Sequence, residues 1–193
     1  GVSSAASDVY KRQAIERLMI QEGTSLIYPL STMGAHVSDC PNHTVGRVTP
    51  FETRGHVALA GTFGYELDVT KIPEEDRKMI PEQTKMYHKY HELVREGDYY
   101  RIASYRENHL YDCWAVAAKD KREVLVTYVH VLSTPNAHSR RIFLQGFDPE
   151  AVYALEGTEE KYTGEMLMKC GFLVKGFWGD FRSKLYHFMK VNE

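Results

Sequence analysis

Three side chains able to bind a ligand lie close together in residues 32–42 (TMGAHVSDCPN), directly after a short apolar run. They are the imidazole of His36, the hydroxyl of Ser38 and the amide of Asn42. Each can form hydrogen bonds with the hydroxyl groups of a neutral ligand, and each can equally bond the backbone of its own loop. The residue types alone leave both roles open.

A metal site is the second chemistry that this segment suggests, because His36, Cys40 and His43 are spaced four and three residues apart. A structural zinc site normally has four ligands, and no second Cys/His pair follows at the spacing of a zinc finger. We therefore expect no metal. His88 and His91 are neighbours on a charged helix face, where solvent exposure is the expected state.

Four aromatic residues in the second half of the chain, Trp114, Tyr128, Trp178 and Tyr186, could form a platform that stacks on sugar rings. Aromatic side chains in short strands more often lie in the core, because each of them buries a large apolar area. We predict core positions for all four.

The elements that would position these groups alternate between helix and strand over residues 14–97. The predicted elements are a helix at 14–21 that stops at Gly23, a buried strand at 25–30, a helix ending near 60, a strand at 63–69, and a helix that begins with acidic residues 74–76 and ends at Gly97. Thr49 is predicted to cap the second helix, with Pro50 at its first position. Pro81 is predicted to kink or restart the third helix.

The pattern changes after Gly97, and short strands separated by turn residues replace the helices. They are predicted at 99–104, 112–118, 123–132, 141–145, 151–155, 172–174 and 181–191, with a possible helical turn at 165–170. This profile is typical of an antiparallel β-sandwich. Residues 1–13 are small and polar without helical or strand periodicity, and we predict that they are foreign to the fold or disordered.

The composition excludes several classes of partner. Lys plus Arg total 24 and Asp plus Glu total 26, so no net field favours nucleic acid or an anionic membrane. Three scattered cysteines argue against a disulfide scaffold and suit a reducing cytoplasm. No apolar run approaches the roughly 18 residues needed to span a bilayer, and the first residues lack the pattern of a signal peptide.

Long strings of this sequence resemble glycoside hydrolase family 36, the α-galactosidases or melibiases. Residues 14–38 (AIERLMIQEGTSLIYPLSTMGAHVS), 41–68 and 97–102 are similar to the segment that closes the family's (β/α)₈ barrel. Residues 114–153, 162–171 and 179–188 are similar to its C-terminal β domain. The resemblance implies domains at 14–97, the last part of a TIM barrel, and at 98–193, an antiparallel β domain.

The activity implied by the resemblance is hydrolysis of terminal α-linked galactose from melibiose, raffinose-type oligosaccharides or galactomannan, with retention of configuration. Retention requires two carboxyl groups about 5 to 5.5 Å apart. Active sites of this fold lie at the carboxyl ends of the barrel strands, so residues 32–42 are predicted to lie beside the sugar pocket. His36, Ser38 and Asn42 are then the candidate substrate-binding residues.

Both catalytic carboxylates are expected to be absent from this chain. The family's nucleophile belongs to an earlier barrel strand, and its acid/base aspartate belongs to a Ser-Asp-x-x-Asp motif just before the helix that starts at Ala14. The two motif positions are occupied by Tyr10 and Gln13. Asp8 follows a serine but is two residues out of register. We expect a fragment of an α-galactosidase that hydrolyses nothing by itself.

Other roles remain open at this point. The chain could be a non-catalytic carbohydrate-binding or oligomerisation module, or a purely structural fragment with exposed strand edges. Family members are often oligomeric, which makes a homo-oligomer possible. Arg47, Arg54 and Glu66 match the family strings well, and ion pairs between barrel helices explain them as readily as ligand binding does.

Overall fold

The computed structural model describes residues 13–136 and 139–191, which fold as two compact units. The first unit ends at His91 and the second begins at Glu92. The predictions about Asp8 and Tyr10 fall outside the described residues. Within the described ranges, no helix combines the length and the apolar character needed to cross a membrane.

The first unit alternates helices and strands. Its elements are α1 (Ala14–Ser25), a 3₁₀ turn (Leu30–Thr32), β1 (Gly34–Ser38), α2 (Phe51–Ala58), β2 (Thr62–Glu66) and α3 (Glu74–Glu96), whose last residues belong to the second unit. β1 and β2 are parallel and paired from Gly34 with Thr62 to Ser38 with Glu66. A helix between two parallel strands is the β–α–β arrangement that the alternating pattern predicts.

The core of this unit forms where α2 packs on the two strands. Ala35, Val37, Phe51 and Ala58 are buried there. Gly61 closes the turn from α2 to β2, and a Cβ atom on it would stand 2.4 Å from the carbonyl oxygen of Met33. Only glycine allows the two backbones to approach this closely.

The strand predicted at 25–30 is wrong. α1 passes through Gly23, and residues 26–28 are exposed by 66%, 81% and 60%. The Tyr28 N–H donates to the carbonyl of Thr24 at 2.9 Å, so the backbone is satisfied by a helical turn and not by a partner strand. Residues 34–38, predicted as part of a loop, form β1 instead.

The predicted cap of α2 is also wrong. The first intrahelical hydrogen bond runs from the Arg54 N–H to the carbonyl of Pro50 at 3.0 Å, so the helix begins one residue later than predicted. Thr49 is therefore too far from the helix to cap it. Its buried hydroxyl has no hydrogen-bond partner among the described residues.

α3 runs without interruption through Pro81, so the predicted restart of this helix is wrong. Proline there removes one backbone donor. Just beyond it, the side chain of Gln83 is buried and fixed at both ends, donating to the carbonyl of Phe51 at 2.8 Å and accepting from the hydroxyl of Tyr65 at 3.0 Å. These contacts hold the helix against α2 and β2 and offset the lost hydrogen bond.

The second unit is an antiparallel β structure. Its elements are β3 (Asp98–Ala103), α4 (Tyr105–Asn108), β4 (Tyr111–Ala117), β5 (Glu123–His130), β6 (Ser139–Ile142), β7 (Val152–Leu155), β8 (Lys161–Thr163), a π-helical turn (Met166–Cys170), β9 (Phe172–Lys175) and β10 (Arg182–Lys190). Six strands form one sheet in the order β3-β4-β5-β10-β7-β8, and β6 pairs with β9 in a two-stranded ribbon. Every pairing is antiparallel, as predicted.

All seven strands predicted for this half are present, but β8 and α4 were not predicted. β8 has only three residues (Lys-Tyr-Thr), which give no alternation to recognise. α4 is a single turn, begun by Ser104, whose hydroxyl accepts from the Arg106 N–H at 3.2 Å. The sheet and the ribbon contribute to one core, in which Tyr128, Tyr153 and Phe188 are among the largest fully buried side chains.

Candidate functional site

An open cleft of about 610 Å³ lies at the carboxyl ends of β1 and β2 in the first unit. Two short segments that follow these strands line it. Polar side chains in its lining are those of Asp39, Asn42, His43, Glu66, Asp68 and Lys71. The cleft is large enough for a small-molecule ligand, and its lining offers both donors and acceptors for hydroxyl groups.

Asn42 is the predicted site residue that lines this cleft. Its Oδ1 accepts from the backbone N–H groups of Thr44 at 2.9 Å and Val45 at 3.1 Å, which fixes a tight turn. The turn is closed by the Asn42 N–H, which donates to the carbonyl of Arg47 at 2.8 Å. Asn42 is 8% exposed and builds the wall with its oxygen, and these hydrogen bonds leave its Nδ2 group unused.

His36 and Ser38 are part of β1, and neither lines the cleft. The Nδ1 atom of His36 lies 3.3 Å from Nη2 of Arg17, a contact to α1 behind the strand. Ser38 is the last residue of the strand and is only 2% exposed. The structure thus brings one of the three candidates to the cleft surface and leaves the other two in the strand that supports it.

Arg54 holds the cleft loop from below. This side chain on α2 is only 4% exposed and uses three nitrogens. Nε donates to the carbonyl of Thr49 at 3.1 Å, Nη1 to the carbonyl of Ser38 at 2.9 Å, and Nη2 to the carboxylate of Asp76 at 2.8 Å. One guanidinium therefore ties both ends of the loop between β1 and α2 to the first turn of α3.

Two other ion pairs connect α1 with the loops and strands of the site. Arg47 pairs with Glu16, and Arg17 lies 3.7 Å from Glu66. Together with the pair made by Arg54, they show the structural role that the sequence offered as the alternative to ligand binding for Arg47, Arg54 and Glu66.

The carboxylates of the cleft differ in their partners. Asp68 accepts from the hydroxyl of Thr70 at 2.6 Å and lies 2.9 Å from the ammonium group of Lys71. The Thr70 hydrogen bonds, followed by the contact with Lys71, lower the pKa of Asp68 to about 2. Asp68 is therefore ionised at neutral pH and cannot serve as a proton donor. It can accept hydrogen bonds or stabilise positive charge.

The described residues contain no group of three or more His, Cys, Asp or Glu side chains that could hold a metal ion. His36 contacts Arg17, and the thiol of Cys40 lies 3.7 Å from the carbonyl of Thr49. The three cysteines are free thiols.

The aromatic residues of the second unit divide into two groups. Trp114 and Tyr128 are 5% and 1% exposed, and Tyr186 packs against the core, so core positions were correct for these three. Trp178 is 90% exposed, and its predicted core position is wrong. It stands in a loop between Gly176 and Gly179, both of which have positive φ.

Sequence reasoning missed Asp39, Asp68 and Lys71 as lining residues. Asp39 directly follows the last residue of β1, and Asp68 follows β2 by two positions. Correct strand boundaries would have identified them, because the carboxyl ends of parallel strands meet at one edge of a sheet. The misplaced strand at 25–30 hid this signal.

Comparisons with known proteins identify the family of the chain. Residues 4–97 match the Melibiase family, and residues 111–188 match the family described as Glycosyl hydrolase family 36 C-terminal domain. The chain belongs to glycoside hydrolase family 36. Among family 36 members, it is 42% identical over 180 residues to the α-galactosidase AgaA of Geobacillus stearothermophilus and 39% identical to the bifunctional α-galactosidase/sucrose kinase AgaSK of Mediterraneibacter gnavus.

Solved family 36 structures share the fold. The galactosidase domain of AgaSK superimposes with a TM-score of 0.89 at 38% identity, and AgaA does so with 0.88 at 42% identity. Each comparison covers 93% of this chain and 25% of the other protein. The chain thus spans about a quarter of the length of these relatives. AgaA variants have also been solved in complex with raffinose and with stachyose.

Proposed function

We propose that this chain forms the closing segment of the (β/α)₈ barrel and the following β-sandwich of an α-galactosidase, which releases terminal α-linked galactose with retention of configuration. The observation that carries the proposal is the polar cleft at the carboxyl ends of two parallel strands, where this fold builds its active sites. The names of the family 36 relatives and the complexes with raffinose and stachyose support the substrate class.

In the proposed reaction, one carboxylate attacks the anomeric carbon and a second carboxyl group protonates the leaving oxygen. No metal or organic cofactor is needed for this step. The described residues supply the wall of the sugar pocket. Nδ2 of Asn42 donates to a substrate hydroxyl, Ser38 and His36 position the strand behind it, and Asp68 stays ionised at the rim.

We assign neither catalytic carboxyl group to this chain and expect no turnover of nitrophenyl α-galactoside by the purified polypeptide. Glu66 is paired with Arg17, and the hydrogen bonds from Thr70 and Lys71 hold the pKa of Asp68 at about 2, which favours its ionised form. Measurable hydrolysis by the polypeptide that is lost with Glu66→Gln would contradict this assignment.

A chimaeric enzyme tests the proposed function directly. The matching quarter of the Geobacillus relative is replaced by residues 14–191, and the product from raffinose is followed by proton NMR. The expected first product is α-galactose, and Asn42→Ala is expected to lower kcat/KM about tenfold or more, because it removes the substrate hydrogen bond together with the two hydrogen bonds that fix the turn. A chimaera that unfolds cooperatively but releases no galactose would refute the proposal.

A second candidate function, a non-catalytic carbohydrate-binding or oligomerisation module, is favoured by one observation. Trp178 exposes 90% of its surface and contributes little to the fold. Exposed aromatic rings of this kind serve as stacking surfaces or interface anchors. Galactose binding by calorimetry that is lost with Trp178→Ala, in the absence of hydrolysis, would support the sugar-binding role, and light scattering would detect self-association.

We further propose a cytoplasmic location and neutral sugars, not nucleic acid or membranes, as partners. The free thiols and the nearly balanced charge support both points. Fractionation of cells that express the chain tests the location.

A further inference from the structure

The second unit contains a separate small cavity of about 40 Å³, at the end of β5 and beside the ribbon of β6 and β9. Its polar lining includes Tyr128, His130, Ser133, Thr134, Ser139 and Arg140. Each of these side chains can donate a hydrogen bond, and no Asp or Glu is among the described residues that line the cavity. The cavity therefore presents donors and positive charge.

Arg140 lines the cavity, Lys184 contacts two residues of its lining, and neither has a carboxylate partner among the described residues. The guanidinium of Arg140 lies 4.2 Å from the ring centroid of Tyr111. The ammonium of Lys184 donates to the carbonyl of Lys175 at 3.0 Å and lies 5.1 Å from the ring centroid of Phe177. Lys175 and Phe177 both line the cavity.

Several basic side chains of this unit pair with carboxylates, in contrast to Arg140 and Lys184. Lys169 lies 2.7 Å from Glu165, and Lys190 lies 3.0 Å from Asp148. A cation without a carboxylate partner favours an anion beside it, because the bound anion compensates its charge.

The remaining groups at the cavity suit an anion too. Burial, followed by the nearby charge of Arg140, lowers the pKa of His130, and the charge of Asp180 opposes this shift. The lowered pKa favours a neutral ring at pH 7. Burial raises the pKa of Tyr128 to about 12, so its hydroxyl stays protonated. Asp180 is the acidic side chain facing this region, and its Oδ1 already accepts from the Ser133 N–H at 2.7 Å.

The size of the cavity limits the ligand. One water needs roughly 10 to 15 Å³ by this measure, so the cavity holds a group of a few oxygen atoms and not a sugar ring. We propose that it binds a small tetrahedral oxyanion, either inorganic phosphate or the phosphate group of a sugar monoester, between Arg140 and Lys184. No relative's name assigns such a site, and it lies in a different unit from the proposed galactoside cleft.

Calorimetry on the full chain at low ionic strength tests the proposal, with inorganic phosphate, galactose 6-phosphate and galactose as separate probes. Phosphate is expected to bind at one site, and Arg140→Gln and Lys184→Gln are each expected to weaken it about tenfold to a hundredfold, the loss of one charged hydrogen bond. Lys169→Gln is the matched control and should leave the affinity unchanged. Tighter binding of the sugar phosphate would identify the monoester as the ligand, and equal affinity would identify free phosphate.

A second readout separates specific binding from weak charge screening. The ring protons of His130, assigned with His130→Gln, should shift on addition of phosphate and saturate with the calorimetric curve. If Arg140→Gln lowers the unfolding midpoint, Lys184→Gln decides alone, because the contacts of that ammonium are one backbone carbonyl and the ring of Phe177. The absence of saturable binding, or equal weakening by Lys169→Gln, would overturn the proposal.

Discussion

Replacing Arg54 tests whether a single buried cation holds the cleft loop in place. Its guanidinium bonds two backbone carbonyls, at Thr49 and Ser38, and the carboxylate of Asp76. Arg54→Met leaves all three acceptors without their donor, at a position where the arginine side chain is only 4% exposed. Arg54→Lys keeps the charge but cannot reproduce three donors in a planar fork.

The expected magnitude follows from burial. Breaking a buried ion pair by removing one partner costs about 3 to 5 kcal/mol. Asp76 is 23% exposed and regains some water, so the lower end, about 3 kcal/mol, is expected for Arg54→Met. Arg54→Lys should cost about 2 kcal/mol, because one or two of the three hydrogen bonds are lost. Lys78→Met removes a pair with Glu74 that is more than 70% exposed on both sides, and should cost no more than about 0.5 kcal/mol.

Urea unfolding followed by far-UV circular dichroism measures these changes, because the long helices α1 and α3 begin in the first unit. Fluorescence of the buried Trp114 reports on the second unit in the same sample and should shift less. If the urea midpoint of Arg54→Lys equals that of Lys78→Met within error, the guanidinium does not hold the cleft loop in place.

Three further predictions concern single side chains. Thr49→Val removes a buried hydroxyl without a hydrogen-bond partner and should raise the free energy of unfolding by up to about 1 kcal/mol. Thr53→Val, at a buried and partnered threonine on α2, should instead lower it by about 1 kcal/mol. Equal effects of the two changes in denaturant titrations would contradict this prediction. Burial lowers the pKa of His56 from 6.5 to about 4, so the folded state resists protonation, and stability should be full above about pH 6.5 and fall towards pH 4 by at most about 1.4 kcal/mol per pH unit. His56→Gln should flatten that slope, and an unchanged slope would exclude the residue as its cause. Trp178→Ala should leave the thermal midpoint nearly unchanged, whereas Trp114→Ala should lower the free energy of unfolding by about 3 to 5 kcal/mol. A large drop in the midpoint of Trp178→Ala would show that Trp178 packs against the protein in solution.

The strands of the second unit could be predicted because their pattern is local. In β5 (Glu123–His130) apolar and aromatic residues fill a run bounded by turn residues, and the antiparallel pairing needs only neighbours along the sheet. β8 could not be predicted in this way, because its three residues owe their conformation to pairing with β7.

The error at residues 25–30 has a different cause. A short apolar run is typical of a buried strand, but burial depends on the surfaces that surround it, which the run itself does not encode. Here residues 26–28 extend the turns of α1 and remain exposed. The resulting shift moved His36 and Ser38 from the predicted loop into β1, while Asn42 kept its loop position.

The arrangement around Arg54 could not be derived from spacing either, because its partners lie 16 and 22 residues away, at Ser38 and Asp76. It also changes how the cleft is understood. The loop after β1 uses the oxygen of Asn42 and the carbonyls of Ser38 and Thr49 for its own support, so these hydrogen bonds order it without a ligand. Rigid placement lowers the entropy cost of binding. The proposed contact of Asn42 with a sugar is therefore compatible with its role in the wall, because a different atom of the amide would make each set of contacts.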